Sequence, residues 1–153
     1  MQEAPTTVVG GTGFLGRAIV RELVEAGRSV RIAARRPHLP DWLEAGDRVE
    51  AVDCDLRDEP QVAAALAGSG AVINAVSLYV ERPRAGLTFE AIHVAGAERL
   101  ARLAREAGVS RLVHVSGIGV AERSPSAYVR ARAAGERAVI DALPKAILLR
   151  PAV

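Results

Sequence analysis

Short apolar runs alternate with longer stretches in which apolar residues recur at helical spacing along most of the chain. Brief runs of this kind are typical of buried strands, and the longer amphipathic stretches are typical of helices. The pattern predicts strands at residues 6–9, 29–33, 49–52, 71–75, 112–115 and 146–149. It predicts helices at residues 14–26, 59–66, 88–107 and 127–143, with a weak single turn at 41–45.

This alternation of strand and helix predicts an α/β fold with a doubly wound parallel sheet. Strand–helix–strand units form parallel sheets through right-handed crossovers, with helices on both faces. We expect one Rossmann-type domain over residues 1–153, with about six strands in the order 3-2-1-4-5-6. In such a sheet the ligand binds beyond the carboxyl ends of the strands, where strands 1 and 4 diverge.

A glycine-rich turn joins the first strand to the first helix. Residues 10–16 read Gly-Gly-Thr-Gly-Phe-Leu-Gly, and the spacing of Gly10, Gly13 and Gly16 is typical of a dinucleotide-binding turn. These glycines permit a tight turn, a backbone approach to pyrophosphate, and close packing of helix on strand. Backbone amides and the helix dipole then favour the phosphates. The expected cofactor contacts in this turn are Gly10, Thr12, Gly13, Phe14, Leu15 and Gly16.

Two arginines follow the second strand, at the place where dinucleotide-binding proteins commonly carry an acidic residue for the ribose hydroxyls. Arg35 and Arg36 can instead hydrogen-bond a 2′-phosphate, and no carboxylate at this place repels it. The pair therefore favours NADP over NAD as the cofactor. The alternative is that both arginines are solvated loop residues.

Two other segments end strands at the same edge of the sheet. After the third strand, Asp55 can accept a hydrogen bond from an adenine amino group while Leu56 covers the ring; the alternative is that Asp55 caps its own turn. After the fourth strand, Asn74, Ala75 and Val76 can lie beside the cofactor ribose. The alternative for Asn74 is core packing with its amide satisfied.

Composition narrows the function classes. The chain has 153 residues, of which 50% are apolar and 3% aromatic, with 20 basic and 18 acidic residues that form no like-charged block. Few aromatic stacking platforms and no nucleic-acid-binding motif argue against a nucleic-acid partner. The lone Cys54 and an amino terminus without signal-peptide character indicate a reducing cytoplasm. The three histidines lack metal-ligand spacing, so we expect no metal.

Residues 62–80 carry no charge and are just long enough to span a membrane. The sequence Gly-Ser-Gly at 68–70 interrupts them, so we interpret the segment as helix, turn and buried strand. We therefore expect no membrane span.

The motifs together resemble extended and atypical members of the short-chain dehydrogenase/reductase superfamily, which include NAD-dependent epimerases and dehydratases. The resemblance rests on residues 10–16, 34–37, 55–56, 74–76, 114–116 and 128–136. Residues 93–100, 106–109 and 114–116 are similar to bacterial relatives of the NADPH-binding accessory subunit of respiratory complex I. Members of that branch usually continue past a Leu-Arg-Pro motif, here at 149–151, into a substrate-side lobe. The resemblance therefore implies the amino-terminal part of a longer protein.

The resemblance also implies a reactive group of Ser, Tyr and Lys, the last two in a Tyr-x-x-x-Lys motif. The matching residues are Ser116, Tyr128 and Arg132, with Arg in place of Lys. Four-residue spacing puts Tyr128 and Arg132 on one helix face, where Ser116 at the end of strand five can meet them. Because the planar guanidinium is not equivalent to a compact ammonium, we expect weak or absent turnover.

These observations predict an NADP(H)-binding domain with oxidoreductase-like ancestry. Two alternatives remain: a catalytically silent scaffold or accessory subunit of a respiratory or quinone-linked complex, and an NAD-dependent sugar epimerase or dehydratase. The expected partners are the dinucleotide and either another protein or the substrate-side lobe. The expected location is the cytoplasm, or the periphery of a membrane complex.

Overall fold

Six strands form one parallel sheet in the computed structural model, which describes residues 3–152. The strand order is β3-β2-β1-β4-β5-β6, which confirms the predicted order. Every neighbouring pair of strands is parallel, and its residues pair consecutively without a bulge. The strands are β1 (Thr6–Val9), β2 (Val30–Ala34), β3 (Val49–Asp53), β4 (Ala71–Asn74), β5 (Arg111–Val115) and β6 (Ile147–Leu149).

Four α-helices, a π-helix and a 3₁₀ turn connect these strands. In chain order they are α1 (Phe14–Glu25), α2 (Glu59–Leu66), the 3₁₀ turn Pro83–Ala85, the π-helix Glu90–Gly96, α3 (Ala97–Glu106) and α4 (Ala127–Ala142). The prediction of one uninterrupted helix over 88–107 is wrong in its first half, where the helix is π-helical. The seven residues Glu90–Gly96 hold too few apolar positions for their spacing to separate an α-helix from a π-helix.

The single turn of helix predicted at 41–45 is also wrong, because this segment forms non-helical turns. The Asp47 carboxylate accepts a hydrogen bond from the Glu44 amide at 2.8 Å. A lone helical turn fixes several backbone dihedrals for one hydrogen bond, and here a side chain satisfies the backbone instead.

The uncharged segment 62–80 contains the end of α2, a turn and β4, as interpreted from the sequence. Within residues 3–152, none of the helices has the length and apolar character needed to cross a membrane.

Helices cover both faces of the sheet, and each face has its own core. On one face α1 buries Val20 against Val8 and Ile32 of the inner strands. On the other face α2, the π-helix, α3 and α4 enclose a larger core that includes Leu66 and Leu112. Since all strands are parallel, their carboxyl ends meet at one edge, and the connecting loops collect there.

Helix α4 approaches the π-helix very closely at Gly135. A Cβ atom at this position would lie 2.0 Å from the His93 carbonyl oxygen. Because that neighbour is backbone, it has little freedom to move away. The missing side chain therefore sets the distance between the two helices.

Replacement of Gly135 by Ala tests this packing. Helix propensity alone would favour Ala by about 1 kcal/mol, whereas the clash with backbone should cost about 1–3 kcal/mol or more. We expect net destabilisation, measured as a lower free energy of unfolding in urea. The control is Gly117→Ala, since a Cβ there meets nothing within 4 Å. A Gly135→Ala variant more stable than the parent would contradict the packing argument.

Candidate functional site

A cleft of about 430 Å³ lies at the carboxyl edge of the sheet, where β1 and β4 diverge. Its volume is within the range of small-ligand sites. It brings together residues from the loops after four strands that are far apart in sequence. The lining residues are Gly10, Thr12, Gly13, Ala34, Arg35, Arg36, Cys54, Asp55, Leu56, Ala75, Val76, Ser77, Arg82 and Ile92.

The glycine-rich turn forms one wall of this cleft. Gly10 has a φ of 81°, which favours glycine, and Gly13 begins α1 without any side-chain cap. A Cβ at Gly16 would lie 2.0 Å from the Gly10 carbonyl oxygen, so only glycine lets the helix start so close to the turn. The first turn of α1 carries no acidic residue. The first backbone amides of α1 therefore have no side-chain acceptor, and no carboxylate neutralises the positive end of the helix dipole. This arrangement favours binding of an anion.

Three arginines also line the cleft. Arg35 and Arg36 are exposed and line it, as do exposed Arg82 and the partly buried Asp55. Arg82 was not predicted, because it lies in an irregular loop far along the chain. The loop returns through an isolated antiparallel bridge between Arg82 and Leu87, which holds Arg82 at the cleft.

Asp55 is held by a neighbouring arginine. Its Oδ1 accepts hydrogen bonds from the Arg57 amide and Nε, both at 2.9 Å, and its Oδ2 accepts one from Nη2 at 2.6 Å. These hydrogen bonds from Arg57 keep the pKa of Asp55 below its ordinary value, with a smaller contribution from the charge of Arg35. The hydrogen bond from the Arg57 amide shows that Asp55 caps its own turn, which was the alternative interpretation of this residue.

The residues beside Asp55 complete the apolar floor of the cleft. Leu56 is 4% exposed and Cys54 3%. Burial raises the pKa of the Cys54 thiol to about 12, and the charges of Asp55 and Asp58 add to this effect. Cys54 is therefore a packing residue and not a thiolate nucleophile at neutral pH.

Asn74 lies under the cleft and not in its lining. Its Nδ2 donates to His114 Nδ1 at 3.2 Å, and its Oδ1 accepts a hydrogen bond from the Val76 amide at 3.2 Å. Both side chains are nearly fully buried. The Asn74 amide is thus satisfied within the core, while Ala75 and Val76 line the cleft.

Tyr128 lies beyond the cleft in an aromatic cluster. Its hydroxyl is 3.4 Å from the Ser77 hydroxyl. The Tyr79 ring stacks on the Tyr128 ring with centroids 5.6 Å apart, and Phe89 and His93 meet it edge-on at 5.7 and 5.5 Å. Since Ser77 lines the cleft, the Tyr128 hydroxyl stands beside that lining.

Arg132 is almost completely buried, with 5% exposure. Its Nη1 donates to His93 Nδ1 at 3.1 Å, and its Nη2 donates to the Val115 carbonyl oxygen at 2.7 Å. Because Arg can only donate, His93 Nδ1 must accept, and the proton lies on Nε2. That nitrogen donates to the Leu78 carbonyl oxygen at 2.9 Å. Arg132 thus connects α4, the π-helix, β5 and the loop after β4.

Two buried histidines lie around this arginine. Burial lowers the pKa of His93 to about 4, and the positive charge of Arg132 contributes. Burial and the same charge lower the pKa of His114 to about 4. Both side chains are therefore neutral at physiological pH.

Ser116 is 6% exposed, and neither its buried hydroxyl nor His114 Nε2 makes a hydrogen bond of ordinary geometry among residues 3–152. Nearby on α4, the Glu136 carboxylate accepts two hydrogen bonds from Arg150, one from Nε at 2.9 Å and one from Nη2 at 2.6 Å. Burial would raise the pKa of Glu136, but the hydrogen bonds from Arg150, the nearby Ser116 hydroxyl and the charge of Arg150 outweigh it and lower the pKa.

Most of the predicted cofactor contacts converge on one cleft: nine of them line it, namely Gly10, Thr12, Gly13, Arg35, Arg36, Asp55, Leu56, Ala75 and Val76. Phe14, Leu15 and Gly16 form the adjoining first turn of α1. The structure does not bring Ser116, Tyr128 and Arg132 into mutual hydrogen-bond contact. The Tyr128 hydroxyl meets Ser77 instead, and the Arg132 guanidinium bonds His93 and a backbone carbonyl. In the described part of the chain, no three His, Cys, Asp or Glu side chains converge as a metal site would require.

The sequence matches known proteins over nearly its whole length. Residues 10–146 match the model of a family described as NAD(P)H-binding. Subunit 9 of the mitochondrial NADH dehydrogenase [ubiquinone] 1 alpha subcomplex from Arabidopsis thaliana is 38% identical over 152 residues, covering 95% of this chain and 37% of that protein. The ceramide reductase of Caulobacter vibrioides is 36% identical over 145 residues, covering 94% of this chain and 44% of that protein.

Solved structures show the same fold. MoeE5 in complex with UDP-glucuronic acid and NAD is 28% identical, with a TM-score of 0.74, and the match covers 97% of this chain and 53% of that one. Uronate dehydrogenase from Agrobacterium tumefaciens is 26% identical, with a TM-score of 0.72, covering 92% and 57%. The chain thus spans between about a third and three fifths of the length of these proteins.

The two buried histidines predict acid sensitivity. An unfolded chain protonates His near pH 6.5, whereas His93 and His114 in the fold do so only near pH 4. Stability is therefore fully present above about pH 6.5 and falls as pH drops toward 4, by roughly 2 kcal/mol for each histidine between pH 7 and 5. Urea unfolding at several pH values measures this slope.

In that series His93→Gln should remove about half of the slope, whatever its effect on stability at pH 7. The matched control is His38→Gln, because His38 is exposed. Equal slopes in all three proteins would show that the buried histidines do not control acid stability.

The contacts of Arg132 predict that Arg132→Lys destabilises the fold. A lysine lacks the planar fork that reaches both His93 Nδ1 and the Val115 carbonyl, so a buried acceptor loses its partner. We expect a loss of about 1–3 kcal/mol in the free energy of unfolding. Arg130→Lys is the control, because Arg130 is on the same helix but exposed, where it bonds the Ser124 carbonyl. Equal stabilities of the two variants would contradict the bridging role.

Proposed function

Because the chain belongs to the NAD(P)H-binding family and has the fold of short-chain dehydrogenases/reductases, we propose that its cofactor is NADP(H) in preference to NAD(H). We further propose that it binds this cofactor with weak or absent turnover. The observation that carries the first proposal is the placement of Arg35 and Arg36 in the same cleft as the glycine-rich turn.

The residues of the cleft fit a dinucleotide. At the uncapped start of α1, backbone amides donate hydrogen bonds to the pyrophosphate. The glycines of the turn leave this wall of the cleft free of bulky side chains. The apolar floor formed by Cys54, Leu56 and Ile92 suits the flat adenine ring. Asp55 remains bound to Arg57, so its contribution to adenine recognition is limited to whatever oxygen lone pairs these bonds leave free.

Charge decides between the two dinucleotides. A 2′-phosphate carries close to two negative charges and presents three acceptor oxygens, which planar guanidinium groups bind through paired hydrogen bonds. Arg35 and Arg36 are exposed and free to turn toward it, and Arg82 adds a third positive charge to the cleft. NAD(H) lacks that phosphate, so these arginines give it no comparable stabilisation.

The proposal of weak turnover rests on the surroundings of Tyr128. When bound, the reduced cofactor supplies a hydride, and the chain must supply a proton at the substrate oxygen. The Tyr128 hydroxyl faces the Ser77 hydroxyl, while the Arg132 guanidinium is committed to His93 and a backbone carbonyl. In this arrangement the positive charge of Arg132 is directed at the core and not at the phenol oxygen.

A silent accessory subunit of a respiratory complex is the second candidate function. It is favoured by the 38% identity to a subunit of mitochondrial NADH dehydrogenase and by the commitment of Arg132 to structural contacts. In that role the bound cofactor stabilises the domain and a partner protein holds it near the membrane. Robust cofactor-dependent reduction or epimerisation by the isolated chain would argue against this second function.

Calorimetric titration tests the cofactor proposal. We expect NADPH to bind at least tenfold more tightly than NADH. Replacing Arg35 or Arg36 by Ser should weaken NADPH binding by about 10- to 100-fold, because a hydrogen bond to a charged group contributes about 1.5–3 kcal/mol, and should barely change NADH binding. Arg111→Ser removes the same charge from the exposed start of β5 at the opposite edge and serves as the control. Tighter binding of NADH, or binding of neither nucleotide, would overturn the proposal.

A further inference from the structure

Among the described residues that line the cleft, only Asp55 carries a carboxylate. The same lining includes Arg35, Arg36 and Arg82. A carboxylate among these arginines can oppose an anionic ligand in two ways: it repels the anion, and it attracts a guanidinium that would otherwise bind the anion. Binding of a phosphate in this cleft therefore depends on which cation pairs with Asp55.

Asp55 pairs with Arg57, a residue outside the lining of the cleft. The carboxylate accepts hydrogen bonds from Arg57 Nε at 2.9 Å and from Nη2 at 2.6 Å, so each of its two oxygens is bonded by the same guanidinium. Paired bonds between a planar guanidinium and a carboxylate are among the stronger polar contacts in proteins. Arg57 thus neutralises the carboxylate of the cleft without occupying the cleft itself.

The loop after β4 holds the Arg57 guanidinium from another side. Its Nη1 donates to the Ala85 carbonyl oxygen at 2.5 Å. The next residue, Gly86, has a φ of 69°, and a Cβ there would lie 3.0 Å from Arg57 Nη1. Leu87 anchors this loop because its side chain is buried in the larger core. Since it is bound on two sides, the guanidinium has little freedom to leave Asp55.

Arg35 is the competing partner for Asp55. Hydrogen bonds from Arg57 lower the pKa of Asp55 most, and the charge of Arg35 lowers it further, so Arg35 already acts on this carboxylate. If Arg57 were absent, a partly buried carboxylate would be left unpaired, which favours an ion pair with Arg35. An Arg35 side chain bound in this way could not also give its paired hydrogen bonds to a phosphate.

We propose that Arg57 is a positioning residue that determines cofactor specificity: by occupying both oxygens of Asp55, it leaves Arg35 free for the 2′-phosphate of NADP(H). The inference rests on the proposed preference for NADP(H), and it assigns part of that preference to a residue outside the cleft lining. NAD(H) carries a hydroxyl group in place of this phosphate and gains little from Arg35. The occupation of Asp55 therefore matters less for NAD(H).

The Arg57→Gln variant tests this role by calorimetric titration with NADPH and NADH at one ionic strength, because salt screens these charges. Glutamine lacks the positive charge and the planar fork, so Asp55 is released. We expect NADPH to bind about five- to tenfold more weakly than to the parent chain, because the phosphate then competes with Asp55 for Arg35. The affinity for NADH should change by less than about twofold. Circular dichroism verifies that each variant is folded.

Removal of the carboxylate distinguishes this role from a structural one. If Arg57 acts by occupying Asp55, Asp55→Asn in the Arg57→Gln background should restore NADPH binding to within about twofold of the parent. In the parent background, Asp55→Asn should change NADPH binding by less than about twofold. If Arg57 only stabilises the fold, or acts through the long-range effect of its charge, Asp55→Asn will have the same effect in both backgrounds. That result would overturn the proposal.

Arg31→Gln is the matched control. Arg31 also joins a carboxylate to the backbone, since it bonds Glu50 Oε1 at 2.6 Å and the carbonyl oxygens of Ala65 and Ala67 at 2.8 and 2.7 Å. It does not line the cleft. We expect the same loss of charge at this position to leave NADPH affinity within about twofold of the parent. A loss as large as that of Arg57→Gln would attribute the effect to net charge or stability and overturn the proposal.

The parent chain separates this inference from the cofactor proposal. Equal affinities of the parent for NADPH and NADH would overturn the cofactor proposal, and this inference with it. A clear preference of the parent for NADPH that Arg57→Gln leaves unchanged would overturn only the role of Arg57.

Discussion

The contact between the opening turn and the start of the first helix is the constraint on which the rest of the structure depends. A Cβ at Gly16 would lie 2.0 Å from the Gly10 carbonyl oxygen, so the helix can begin there only without a side chain. That close start directs the uncapped amides of α1 to the point where β1 and β4 diverge. The proposed recognition of phosphate by backbone amides thus depends on packing geometry, and any side chain at Gly16 would displace the wall of the cleft.

The second organising feature is a buried polar network under the cleft. Arg132, His93 and the Leu78 carbonyl form one chain of hydrogen bonds, and Asn74 with His114 forms another. Such groups stabilise the interior only when their donors and acceptors are paired, and among the groups of these two chains only His114 Nε2 lacks a partner within residues 3–152. The network rigidifies the loop that carries Ser77 and Tyr79, and it uses Arg132 as a structural bridge. Our proposal of cofactor binding with weak turnover rests on this structural use of Arg132.

Much of the fold was predictable because its determinants are local. The strands lie within one residue of their predicted bounds, and the strand order followed from alternation with helices. The π-helix was not predictable, since Glu90–Gly96 has an apolar spacing that fits either helix type. The helical turn predicted at 41–45 does not form. There the Asp47 carboxylate accepts a hydrogen bond from the Glu44 amide, a contact that helix propensity does not include.

The candidate site divides in the same way. By itself, the sequence determined the glycine turn, the arginines after β2 and the family, because each depends on residues close together in the chain. Only the tertiary structure decided that Arg82 reaches the cleft and that Arg132 turns into the core toward a histidine 39 residues away. The physical reason is that spacing determines which residues share a helix face or strand edge. The partner that such a face meets depends on the packing of the whole sheet.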